Sequence, residues 1–140
     1  MSNPVRALWT VLIMSLALPL FAGLIVVALQ LASPALDFLL PPSGKAIGEV
    51  AVDAFVWSAL PATVAALGLT PFILQHGTFS WLQASVAGVV AFMAGAIIFP
   101  FPAGSGLPFL AFVAGLLAIF IRSLLIASGI LRAEPQAELP

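Results

Sequence analysis

Charged residues are almost missing from the middle of this chain. Between Ala54 and Ile121 there is no Asp, Glu, Lys or Arg, and His76 is the one side chain there that titrates near neutral pH. Charged residues make up 6% of the chain, against about 25% in globular domains, and the mean hydropathy is +1.25. A water-soluble domain needs surface charge and cannot bury this much apolar surface, so the sequence predicts a membrane protein.

Cysteine is absent and histidine occurs once, and each absence excludes a class of site. Without cysteine there is no disulfide, no thiol chemistry, no lipoprotein anchor and no covalent haem attachment. A single histidine excludes a bis-histidine haem site and the usual histidine-rich zinc site. Lysine and arginine together number four and are widely scattered, which argues against a nucleic-acid partner. We therefore expect neither a cofactor nor a metal ion.

Catalytic motifs are also missing. The chain contains no G-x-S-x-G, S-x-x-K, H-E-x-x-H or G-x-x-x-x-G-K pattern. No acid, base and nucleophile fall at one depth of the predicted membrane spans. The sequence therefore predicts no catalytic residues and a protein that is not an enzyme.

Four apolar segments are long enough to cross a hydrocarbon core of about 30 Å, which takes about 20 helical residues. Prolines and glycines separate them, for example Pro41 and Pro42 before the second segment and Gly77 before the third. The pattern predicts an all-α polytopic membrane protein, a four-transmembrane-helix bundle with short loops that forms one domain over residues 1–140. The predicted spans are approximately residues 7–31, 46–69, 79–99 and 108–131.

A signal peptide is the alternative interpretation of the first segment. The apolar region of a signal peptide is about 7–15 residues long, whereas this run extends from Ala7 to Leu31 and contains Pro19. We therefore expect the first segment to remain in the protein as a membrane span.

The arginines predict the orientation. Arg6 precedes the first span, Arg122 lies near the end of the fourth and Arg132 follows it. Because cations favour the cytoplasmic side, both termini are expected there, and Trp9 and Trp81 then form an interfacial belt on that same face. The small size and short loops favour a multi-pass protein of the bacterial inner membrane.

Small residues recur at helical spacing on the third and fourth spans and predict a close helix contact. Such a stripe serves either dimerisation or packing within one chain. Because the connection between these spans is short, we favour packing of the third span on the fourth. The predicted packing residues are Ala84, Gly88, Ala91, Gly95, Ala111, Gly115 and Ala118.

Arg122 continues the stripe on the fourth span. At about 1.5 Å of rise per residue from Pro108, its Cα lies about 9 Å short of the membrane edge. Its stem either snorkels to the headgroups, which we favour, or holds the charge within the protein. Groups at a suitable depth include helix-end carbonyls, and we hypothesise a polar membrane cluster of Arg122 with Gln83 or His76.

Glu49 and Asp53 are one helical turn apart near the start of the second span. Two carboxylates on one face can bind a cation or a proton, but carboxylates in a first turn are also favoured by the helix dipole alone. The nearest further acidic residue is Asp37, across two prolines. We favour interfacial carboxylates at the headgroup level, on the side of the membrane opposite Arg122.

Three classes of function fit these features. A structural or accessory subunit of a larger membrane assembly explains the sparse polar groups and short loops, and we place it first. A small oligomeric channel or transporter would use helix kinks at Pro19 and Pro61. Arg122 would then lie at one mouth and Glu49 or Asp53 at the other. A membrane-embedded enzyme comes last. The expected partners are the lipid bilayer and either other membrane subunits or further copies of the chain.

Overall fold

The computed structural model describes residues 2–32, 46–99 and 107–132. Over these ranges the regular structure is helical throughout, with α1 at Asn3–Leu31, α2 at Ile47–His76, α3 at Trp81–Ile98 and α4 at Leu107–Ala127. All four helices are long and apolar enough to cross a membrane. This confirms the all-α prediction and suggests a multi-pass membrane protein.

Two helices extend beyond the spans that apolar content predicts. α1 begins at Asn3 rather than at residue 7, because Pro4 suits the first turn of a helix. α2 continues through Pro71 to His76 instead of ending at residue 69, since the loss of one backbone hydrogen bond is tolerated inside an apolar helix. It ends where Gly77 adopts a φ of 74°.

α4 ends earlier than predicted, at Ala127 rather than at residue 131. Gly129 adopts a φ of 83°, its N–H donates to the carbonyl of Ile126 at 3.0 Å, and the N–H of Ile130 donates to the carbonyl of Leu125 at 3.0 Å. This is a Schellman motif, which closes the last turn of a helix and turns the chain away from its axis.

The helices are arranged in sequence order around the bundle. α1 packs on α2, α2 on α3 and α3 on α4, and the smaller contact of α1 with α4 closes the ring. That contact includes Phe21 and Phe120, whose ring centroids are 5.4 Å apart in an edge-to-face arrangement. The seam between α1 and α4 is therefore the loosest part of the ring.

The interior is rich in small residues and the exterior in large apolar ones. Ala66, Ala84 and Ala118 are buried, whereas Leu16 and Phe112 are more than half exposed. Large exposed apolar side chains occur on all four helices. Large apolar side chains on the exterior are unfavourable in water but suit lipid. The small residues in the interior let the helix backbones approach each other closely.

A cluster of large, fully buried apolar side chains lies between α1, α2 and α4, in the part of the bundle nearer the start of α1 and the end of α4. We call this cluster the apolar plug and define it as the large side chains of α1, α2 and α4 that are at most 1% exposed and belong to one core cluster. They come from α1, α2 and α4, and are Met14, Leu69, Ile73, Ile121 and Leu125.

Candidate functional site

The start of α1 and the ends of α2 and α4 meet at one end of the bundle, which we call the arginine end after Arg6, Arg122 and Arg132. Arg6 Nη1 donates to the carbonyl of Ile130 at 2.9 Å and lies 3.4 Å from the carbonyl oxygen of Gly129. Carbonyl groups that follow a helix lack intrahelical partners and attract a cation. Arg6 therefore ties the start of α1 to the end of α4.

Gly77 connects the same region to α2. Its carbonyl accepts from the backbone N–H of Arg132 at 3.2 Å, and Asn3 Nδ2 donates to the carbonyl of Leu74 at 3.2 Å. A Cβ atom at Gly77 would lie 2.9 Å from Asn3 Oδ1 and 3.0 Å from Arg132 Nε. The positive φ requires glycine at the end of α2, and a Cβ there would also displace the flexible side chains of Asn3 and Arg132.

Replacing Gly77 by alanine is expected to lower the free energy of unfolding by about 2 kcal/mol, because left-handed strain adds to the loss of the Asn3–Leu74 hydrogen bond when the Asn3 side chain is displaced. Gly129→Ala is the matched control, since Gly129 also has a positive φ but no atom lies within 4 Å of the place that a Cβ would occupy. It should lose about 1 kcal/mol, from strain alone. Denaturant titration in detergent micelles measures both, and equal losses would contradict the crowding at Gly77.

Arg122 binds the segment that precedes α3. It is half-buried, and its Nε donates to the carbonyl of Phe79, a buried residue, at 2.6 Å. Gln83 is engaged elsewhere, since its Oε1 accepts from the N–H of Ser80 at 2.8 Å while the Ser80 hydroxyl accepts from the N–H of Gln83 at 3.1 Å. That reciprocal pair is a capping box, which starts α3.

The hydrogen-bond partner of Arg122 in the structure is thus the backbone carbonyl of Phe79. His76 is exposed at the end of α2. The hypothesised pairing of Arg122 with Gln83 or His76 stays a prediction, while the bond to Phe79 anchors α4 to the connection between α2 and α3.

The small-residue stripes bring α3 and α4 together. A Cβ at Gly88 would lie 2.8 Å from the carbonyl oxygen of Ala114 and 3.0 Å from the Cβ of Ala118. A Cβ at Gly115 would lie 3.3 Å from the carbonyl oxygen of Ser85. The two backbones are therefore in close contact within one chain.

The remaining stripe residues divide between two neighbours. Ala84, Ala91 and Ala111 are buried. Gly95 does not continue the contact with α4, because a Cβ there would lie 2.8 Å from Pro61 Cγ on α2. A straight stripe rotates away from a neighbouring helix over several turns, which brings its last member to face α2.

Glu49 and Asp53 lie at the end of the bundle opposite the arginine end, in the first two turns of α2, and both are exposed. That exposure is compatible with an interfacial position. Asp37 lies outside the described residues. Within residues 2–32, 46–99 and 107–132, no three His, Asp or Glu side chains are grouped so that they could hold a metal ion.

A cavity of about 100 Å³ lies among all four helices, in the half of the bundle away from the arginine end. It is partly open to the surface, and its lining is almost entirely apolar. Leu18 lies near its inner end, and Ile25, Ala62 and Val113 are among the residues that line it. An apolar cavity of about 150 Å³ stays free of water and binds benzene. The cavity in this protein is smaller and therefore suits a slimmer apolar group.

The polar atoms beside the cavity already have hydrogen-bond partners. The Ser58 hydroxyl donates to the carbonyl of Ala54 at 2.6 Å, and Trp57 Nε1 donates to the carbonyl of Phe99 at 2.9 Å. The rings of Trp57 and Phe92 pack edge to face with centroids 5.5 Å apart. Chemically, this site can hold an apolar group but offers it no acid, base or nucleophile.

The cavity is the feature that sequence reasoning missed. Its wall includes Ala54, Ala62, Ala65, Ala91 and Ala114. Small residues at helical spacing indicate close helix packing. The same small residues leave an empty space wherever the neighbouring backbones do not come into contact. The sequence pattern does not separate these two outcomes.

Comparison of this chain with known protein families, with curated proteins and with solved structures finds no match.

Proposed function

We propose that this protein is a small integral membrane protein that serves as a structural or accessory subunit of a larger membrane assembly. The observation that carries the proposal is the apolar plug, whose members Met14, Ile73 and Ile121 are completely buried. A polar solute that crossed the bundle through this cluster would meet large apolar side chains, with the buried Thr10 hydroxyl one turn from Met14 as a polar neighbour, at a high desolvation cost. The plug therefore favours a rigid, closed bundle over a path through one chain.

The hydrogen bonds at the arginine end support the same proposal. Arg6 and Arg122 each bind backbone carbonyls of a neighbouring element, and Arg132 donates its backbone N–H to Gly77. The guanidinium bonds of Arg6 and Arg122 are charge-assisted, and together with the backbone bond of Arg132 they hold helix ends in fixed positions. A bundle fixed at one end suits a scaffold better than a transporter that must alternate between two conformations.

We further propose that the arginine end faces the cytoplasm in the bacterial inner membrane. Arg6 and Arg132 lie at that end, whereas Glu49 and Asp53 lie at the other. Cations flanking membrane spans favour the cytoplasmic side. Trp9 in the second turn of α1 and Trp81 at the first residue of α3 are both exposed, and indole rings suit the membrane interface.

Photo-crosslinking in native membranes tests the subunit proposal. A crosslinking residue is introduced at Phe112 on α4 or at Val64 on α2, both of which are exposed. We expect one face to give a single crosslinked partner of different sequence, which also co-purifies with the full chain in fixed stoichiometry in mild detergent. We expect no ion or solute flux when the chain alone is placed in vesicles.

The channel or transporter alternative predicts the opposite pattern. Crosslinks would then join copies of this chain, and the purified chain would conduct in vesicles. Loss of that flux in Asp53→Asn or Arg122→Leu would establish this alternative and overturn the subunit proposal.

A further inference from the structure

We propose that the cavity among the four helices binds one acyl chain of a bilayer phospholipid. The site is distinct from the subunit interface proposed above and does not depend on it. Three observations carry the inference, namely the apolar lining of the cavity, its partial opening to the surface and the small contact between α1 and α4.

Water is a poor occupant of this space. A buried water molecule needs about two to four polar partners. The donors beside the cavity, the Ser58 hydroxyl and the Trp57 indole N–H, are bonded to the carbonyls of Ala54 and Phe99. The rest of the lining is apolar, so water that entered would exchange its bonds in the bulk for almost none.

An empty cavity is also unfavourable, because the atoms around it lose their dispersion contacts. Large side chains of the same helices, such as Leu24 and Phe112, point outward and do not fill it. In a protein whose outer surface is this apolar, the surrounding solvent is acyl chains. A segment of such a chain is slim and flexible enough for about 100 Å³, whereas a fused ring system is too wide.

The route of entry follows from the packing of the helices. α1 and α4 form the smallest contact of the ring, and both contribute to the cavity lining. Phe21 and Phe120 bridge the seam next to the lining residues Ala22 and Leu117. All lining residues of α4, and all those of α1 except Leu18, lie on the side of this pair away from the arginine end. The acyl chain therefore enters beyond this aromatic pair, from the leaflet that faces away from the arginine end.

Retention of lipid by the purified full chain tests the proposal. The protein is reconstituted in palmitoyl-oleoyl-phosphatidylcholine vesicles that contain phosphatidylcholine with a nitroxide on its acyl chain, and is then transferred to mild detergent. A zwitterionic lipid is used because Glu49 and Asp53 are exposed at the end of entry. Native mass spectrometry counts the retained lipid, and nitroxide quenching of Trp57, in a Trp9→Phe, Trp81→Phe background, reports whether it lies in the cavity.

We expect one retained phosphatidylcholine per chain and quenched Trp57 fluorescence. Ala62→Phe or Val113→Phe fills the cavity and should reduce the retained fraction on the order of tenfold, since the void that favours the chain is gone. The matched control is Ala94→Phe, which places the same ring on the exposed surface of α3 and should leave retention unchanged. Size-exclusion chromatography checks that each variant remains folded.

Several results would overturn the proposal. These are a parent protein that retains no lipid, retained lipid that leaves Trp57 unquenched, equal retention in folded cavity-filled variants, and displacement of phosphatidylcholine by an added prenyl alcohol. Because the first two use the parent protein, they decide the question even if both filled variants fail to fold.

Discussion

Replacing Gly88 by valine is expected to lower the free energy of unfolding by about 3 kcal/mol, since two branched methyl groups enter a space that does not admit one Cβ. That Cβ would already lie 2.8 Å from the carbonyl oxygen of Ala114 and 3.0 Å from the Cβ of Ala118. Both neighbours are short and fixed, so they cannot turn aside. α3 and α4 must therefore separate, and the buried contact between them is lost.

Gly68→Val is the control for this effect. Gly68 lies in α2, is exposed, and has no atom within 4 Å of the position where a Cβ would be placed. Its replacement should change the free energy of unfolding by no more than about 0.5 kcal/mol. Denaturant titration in micelles measures both variants, and equal stability of the two would show that α3 and α4 do not approach each other closely.

Replacing Arg122 by leucine is expected to lower the free energy of unfolding by about 2–3 kcal/mol, since the buried carbonyl of Phe79 loses a charged donor. The sign of this change in the free energy of unfolding is informative, because leucine inserts into a membrane more readily than arginine. A general gain in apolar character would therefore stabilise the variant, whereas loss of the specific bond destabilises it.

Ser123→Ala provides the matched control on the next residue of α4. Ser123 is exposed, and its hydroxyl donates within its own helix to the carbonyl of Ile119 at 3.1 Å. Its replacement should be close to neutral. Unchanged stability, expression and activity in Arg122→Leu would remove the case for Arg122 as an anchor between α4 and the connection before α3.

The fold follows from sequence because one physical constraint dominates it. The charge-free region from Ala54 to Ile121 requires apolar helices, and glycine at residue 77 ends α2 by its left-handed conformation. The predicted span of α2 ends at residue 69, although the apolar sequence allows an extension through Thr70 to Leu74, and the helix continues through Pro71 to His76. A proline signals a helix boundary in water but is tolerated inside an apolar helix, so its local signal is ambiguous.

The site was less predictable because it depends on geometry between elements. The position of Arg122 near the end of α4 follows from residue spacing, but its bond to Phe79 depends on how the backbone turns before α3. Gly95 belongs to the same small-residue stripe as Gly88, yet it faces Pro61 on α2. The cavity depends on how all four helices pack around it, which no single segment encodes.

Thiol labelling of single-cysteine variants tests most directly whether lipid is the solvent of this bundle and whether the arginine end lies on one side of the membrane. The chain has no native cysteine, so Ser2→Cys, Gln75→Cys, Gly48→Cys and Val64→Cys can be compared at exposed positions. With a membrane-impermeant maleimide, we expect Gly48→Cys to react in intact cells, Ser2→Cys and Gln75→Cys to react in inverted vesicles, and Val64→Cys to react in neither. Labelling of Ser2→Cys and Gly48→Cys from the same side, or ready labelling of Val64→Cys, would contradict this arrangement.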